Sequence, residues 1–124
     1  MPTYKHLSLI ATATIALSAF AAVPSASTKA EIDQLLTRLQ SSGCQFERNG
    51  SWHDGAEARA HIERKYRYLL RKQLVGTTED FIALAASKSS VSGEPYQVKC
   101  GTQQVASGRW MADQLKQLRA NAKR

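Results

Sequence analysis

Residues 85–96, AASKSSVSGEPY, crowd serines and a lysine ahead of a Gly-Glu-Pro turn. Three chemistries use such residues: hydrolysis by a serine–lysine pair, a cradle for phosphate, and the local capping of a helix end. A serine nucleophile needs its base within hydrogen-bond reach. Lys88 is the direct neighbour of Ser87 and Ser89, and adjacent helical residues point about 100° apart. In the S-x-x-K arrangement the serine stands three places earlier, and here that place holds Ala85. A phosphate cradle opens a helix with glycines, whereas this stretch closes one. A cap and turn fits the residues. Ser89, Ser90 and Ser92 meet turn amides and the last helical carbonyls, and Gly93 supplies a left-handed residue before a strand.

Two further groups of residues carry chemical potential. His53, Glu57 and His61 recur at i, i+4 and i+8, metal-ligand types stacked on one helix face. A collinear trio does not close around one ion, and His53 leaves the line if Asp54 is the helix cap. The run RAHIERKYRYLLRK (59–72) is basic outside its apolar stripe. Arg59, Glu63, Arg67 and Arg71 fall on one face, with Tyr68 beside them offering amphipathic contact area. That face reads as solvated helix or as a docking surface for an anion. Trp52 and Trp110 read as core or rim.

The elements that position these residues follow from periodicity. In TKAEIDQLLTRLQS, Thr28 and Glu31 have the spacing of a capping box, and Ile32, Leu35, Leu36 and Leu39 make one stripe. CQFERNG alternates like a short strand and ends on an Asn-Gly turn. A long helix from Asp54 to about Leu74 carries Ala58, Ile62, Tyr66, Leu69 and Leu70 inward. Thr77 or Thr78 caps the next, TEDFIALAAS, with Glu79 and Asp80 in its first turn. PYQVKC is a second strand, and Ser107 caps a last helix bearing Trp110, Met111, Leu115 and Leu118. Antiparallel pairing of the strands sets Cys44 near Cys100, Phe46 near Val98 and Arg48 near Tyr96. The expected fold is a single α+β domain over 28–120, four helices on a two-stranded antiparallel ribbon, with a basic tail at 121–124.

The start of the chain bears on compartment. MPTYKH carries Lys5 and no acid, residues 7–23 are an apolar run, and small residues follow. This is the pattern of a secretory signal peptide over 1–27, with a small-x-small site at Ala19–Ala21 and a second at Ser25–Ser27. The run is shorter than the roughly 20 strongly apolar residues of an anchor, so the mature chain is expected to carry no membrane span. Cys44 and Cys100 are the only cysteines, and an oxidising compartment makes them a disulfide. With 17 basic and 10 acidic residues, the partners expected outside the cytoplasm are anionic envelope components or an acidic protein. Nucleic acid is not among them.

CQFERNGSWHDGAEARAHIERKYR and TTEDFIALAASKSSVSGEPYQVKC resemble the YfeK-like family of small exported bacterial proteins, a domain-of-unknown-function group. Its pattern is an RNG turn (Arg48–Gly50), A-x-x-H-[IL] with a later lysine (Ala58, His61, Ile62, Lys65), T-x-x-[DEQ]-F-I (Thr78, Phe81, Ile82) and S-S-x-[ST]-G-x-P-Y (Ser89 to Tyr96). The resemblance implies no activity and no cofactor. It omits the position of Lys88, and it groups Arg48, His61 and Tyr96 with the turn residues, so that one polar pocket could hold all of them. The whole reading is a periplasmic or secreted binding module without catalysis. The alternative is a small hydrolase or metal-dependent enzyme using His61 with the Ser87–Ser92 loop.

Overall fold

The computed structural model describes residues 2–5, 8–14 and 21–124. Residues 7 and 15–20 of the apolar run, with Ala19 and Phe20 of the first small-x-small site, lie outside the described residues. From Ala22 onward the chain is docked. Ala22 N donates to Gln73 O at 3.0 Å, Pro24 is buried, and Ser25 Oγ accepts from Thr28 N at 3.1 Å to cap the first helix, α1 (Ala26–Ser41). The expected capping box of Thr28 and Glu31 is therefore corrected. Ser25 takes the cap because the docked segment before it sets the helix entry, and Glu31 is engaged elsewhere.

The ribbon has four strands, not two: β1 (Gln45–Arg48), β2 (Ser51–His53), β3 (Gln97–Cys100) and β4 (Gln103–Ala106), antiparallel in the order β2-β1-β3-β4. The central pair has the expected register, Phe46 opposite Val98, and Cys44 and Cys100 are bonded. That link closes a loop of about 57 residues, which the chain-entropy model values at about 4 kcal/mol. Asn49 and Gly50 both have positive φ, as a tight hairpin turn requires, and they carry the chain from β1 into β2.

Helix α2 (Gly55–Arg71) is capped by Asp54, whose side chain accepts from Glu57 N. It ends at Arg71, earlier than expected, where Gln73 rather than Gly76 takes the left-handed turn. Gly55 lies against α1. A Cβ there would sit 2.6 Å from Gln40 O and 2.8 Å from Leu39 O, so only glycine permits the approach. Helix α3 (Thr78–Ala85) starts on a capping box of Thr77 and Asp80. Helix α4 (Ser107–Ala122) has Ala106 at its cap position, and Ser107, expected as the cap, is instead its buried first residue. Ile32, Leu35, Leu39, Phe81, Val98 and Met111 form the centre of the core, fully buried where helices meet sheet. Among the described residues, no helix is long and apolar enough to cross a membrane.

Candidate functional site

The site lies where α2 crosses the end of the β1–β3 ladder. Arg48 closes β1, Tyr96 stands just before β3, and the register sets them at the same level. From α2, His61 and Lys65 reach the same place, one turn apart and on one side of the helix. Arg48 Nη1 contacts His61 Nδ1. A guanidinium only donates, so Nδ1 accepts and the ring proton sits on Nε2. Nε2 then donates to Tyr96 Oη at 3.0 Å, and Lys65 Nζ donates to the same oxygen at 3.1 Å. Lys65 Nζ also donates to Lys88 O at 2.7 Å and lies 4.9 Å from the centroid of the Tyr96 ring.

This cluster has donors in excess. Arg48 and Lys65 are half-buried, yet among the described residues neither has a carboxylate within ion-pair distance. The Tyr96 oxygen accepts twice, and among the described residues its own O–H has no acceptor. Titration follows the same logic. Burial, then the charges of Arg48, Lys65, Arg64 and His53, push the His61 ring down to about 4, so it is neutral at rest. Burial and then Arg48 lower Lys65, while burial raises Tyr96 against the opposing pull of Arg48.

Two cavities share Arg48, His53, His61 and Tyr96 as a common wall. The first, of about 300 Å³, has Phe46, Ala58 and Ile62 in its lining together with Glu47 and Glu57. The second, of about 450 Å³, adds Asn49, Ser51, Lys65, Ser89, Ser90 and Val91, and no carboxylate lines it.

The serine stretch borders that second cavity as a structured turn. Ser89 is buried, and its Oγ accepts from Asn49 Nδ2 and from the amides of Val91 and Ser92. Ser92 Oγ donates to Asn49 Oδ1 at 2.7 Å, Ser87 Oγ donates to Ile82 O, and Gly93 has positive φ. Both nitrogens of His61 are taken by Arg48 and Tyr96, and no serine of the 87–92 loop hydrogen-bonds the ring.

The other predicted residues separate. His53 Nδ1 bonds Glu57 Oε2 at 2.8 Å, whereas His61 turns to Arg48, so the trio does not converge. Among the described residues no group of His, Cys, Asp and Glu could hold a metal ion. Arg59 is corrected from the exposed face to the α1–α2 junction. It is half-buried, with Asp33 at 3.2 Å, Glu63 at 2.7 Å and Gln40 at 2.9 Å. Arg67, Arg71 and Tyr68 are exposed. Lys65, named in the family pattern but not among the expected pocket residues, joins them in the structure. Its signal was the one-turn spacing from His61.

Residues 26–119 match a family of unknown function, DUF5329. The chain belongs to this family. The matched span runs from α1 into α4, so every residue of the cleft is a residue of the DUF5329 domain. No curated protein and no solved structure matches the chain.

Proposed function

We propose that the protein is an exported, non-enzymatic binding module of the cell envelope, and that it holds a small oxyanion (a carboxylate, phosphate or sulfate group) in the acid-free cleft. One observation carries the ligand: Arg48 and Lys65 are partly withdrawn from water, and among the described residues no carboxylate meets them. Removing a cation from water without a partner is costly, and a bound anion returns that energy. Ser51, Ser90 and Asn49 line the cavity with further hydrogen-bonding groups.

Export is supported by the signal-like start, by the Cys44–Cys100 bond and by the YfeK-like pattern. Of the two cleavage sites, the fold favours the one ending at Ala21. A cut there keeps Ala22 against Gln73 and Ser25 on the α1 cap, whereas a cut after Ser27 removes both. The mature N-terminus should therefore be Ala22, which intact mass of the exported chain reads directly.

Calorimetric titration of the oxidised protein with sodium sulfate, against sodium chloride at matched ionic strength, tests the ligand. Wild type is expected to bind sulfate. Arg48→Ala with Lys65→Met should lose it while keeping its melting temperature. Equal sulfate binding by wild type and the folded double variant overturns the reading.

A further inference from the structure

We infer that the cleft takes its anion together with a proton, the His61 ring charging and the Arg48 guanidinium turning from it into the acid-free cavity, and that a doubly charged oxyanion, a phosphate monoester or sulfate, is the ligand class that fits. This rests on the anion-binding reading above. Its basis is the direction of one contact. His61 Nδ1 accepts from Arg48 only while it lacks a proton. A proton on Nδ1 sets donor against donor, and the contact breaks. Arg48 lines both cavities; in the first, Glu47 and Glu57 are already bonded to Gly50 N and His53, and the acid-free cavity of about 450 Å³ is the one that leaves room for a new acceptor. An anion in that cavity draws the same guanidinium the same way. Proton and anion thus favour one arrangement, and each strengthens the other's binding by an equal factor.

The charges facing His61 set the valence. β1 brings Arg48 and β2 brings His53, whose Nδ1 is held by Glu57. The segment before β3 brings Tyr96, and α2 itself brings Glu57, Arg64 and Lys65. The 87–92 loop adds hydroxyls and the Lys88 carbonyl. Of the two acids that line the first cavity, Glu57 is bound to His53 and Glu47 accepts from Gly50 N at 3.0 Å. Protonation makes His61 a third cation beside Arg48 and Lys65. A monoanion leaves two of these charges uncompensated; a dianion leaves one. Burial and neighbouring cations keep the free ring neutral, its pKa down at about 4, so in mild acid the proton arrives with the ligand.

The experiment uses the oxidised protein with sulfate and methanesulfonate, neither of which titrates in this range. Affinities are measured by calorimetry at about pH 5.5 and about pH 7.5, and the His61 ring is followed by NMR. Sulfate should bind roughly tenfold tighter at the lower pH, the gain expected when the ligand carries the ring from well below that pH to about one unit above it. Saturating sulfate should raise the ring's apparent pKa, and methanesulfonate should bind much more weakly. His61→Gln, whose amide takes no proton, should lose the gain in acid, and His53→Gln should keep it. Equal sulfate affinity at both pH values with an unmoved ring overturns the coupling and leaves the anion site standing. Methanesulfonate binding as tightly as sulfate overturns the dianion. No sulfate binding at either pH overturns both this inference and the reading beneath it.

Discussion

Arg119 and Arg48 each anchor a polar cluster, and the chain treats them differently. Arg119 spreads over two carboxylates, with Nη2 to Glu31 Oε1 at 2.9 Å and Nη1 to Glu79 Oε1 at 2.6 Å. The hydroxyl of buried Thr78 donates to Glu31 as well, at 2.5 Å. Those bonds hold Glu31 and Glu79 below the usual carboxylate range and join α1, α3 and α4. Arg48 meets a neutral ring, and Lys65 beside it meets a phenol and a carbonyl. A cation answered inside the chain serves the fold. A cation left with neutral partners keeps its charge uncompensated, the feature on which the proposed anion site rests.

The comparison breaks most visibly if a carboxylate is moved from one kind of cluster to the other. Lys65→Glu gives the cleft the internal acid it lacks. Sulfate affinity should fall on the order of 100-fold, about 3 kcal/mol, while the melting temperature holds or rises; titration and thermal melts read both. Next in size is Glu31→Ala, which strands the Thr78 hydroxyl and should cost about 1–3 kcal/mol in urea unfolding. Lys65→Met, which strands no buried carboxylate, should stay within about 1 kcal/mol of wild type.

Acid titration sharpens the contrast further. His61 is depressed when folded, so the unfolded chain binds that proton first. The corresponding stability is present above the ordinary value of 6.5 and lost as pH falls toward about 4. Glu31, Glu79 and Asp80 are also depressed, and their contribution is kept above the ordinary carboxylate values and lost below them. Melting temperature against pH, without added sulfate, should thus fall in two stages. His61→Gln should remove only the upper one. The smallest expected effect is that of Arg67→Glu with Arg71→Glu on the exposed face of α2: sulfate affinity within about twofold and stability within about 0.5 kcal/mol of wild type. A larger change in sulfate binding would move the site to that face.

Legibility in the sequence tracked locality. Strand alternation and two cysteines agreed on one register, and that register delivered Arg48 to Tyr96. The pattern of residues around His61 then completed a pocket that the fold does assemble. β2 and β4 escaped because Ser51–His53 and Gln103–Ala106 are short and largely exposed, with no apolar alternation to announce them. Glu31 has the spacing of a capping partner, but its bonds go to Thr78 and Arg119, far along the chain. Spacing placed Arg59 on the right side of α2 and could not say that α1 covers that side.

The bond between Cys44 and Cys100 has a consequence for when the cleft comes into being. It lies on the same antiparallel ladder as Arg48 and Tyr96, four residues away along each strand. Strands can slide past one another in steps of two without exchanging their faces. Such a step would carry Tyr96 about 7 Å along β1, out of reach of His61, in a chain still pleated and still packed. The disulfide admits only the unslipped pairing. The bond and the meeting of Arg48 with Tyr96 therefore depend on one and the same register.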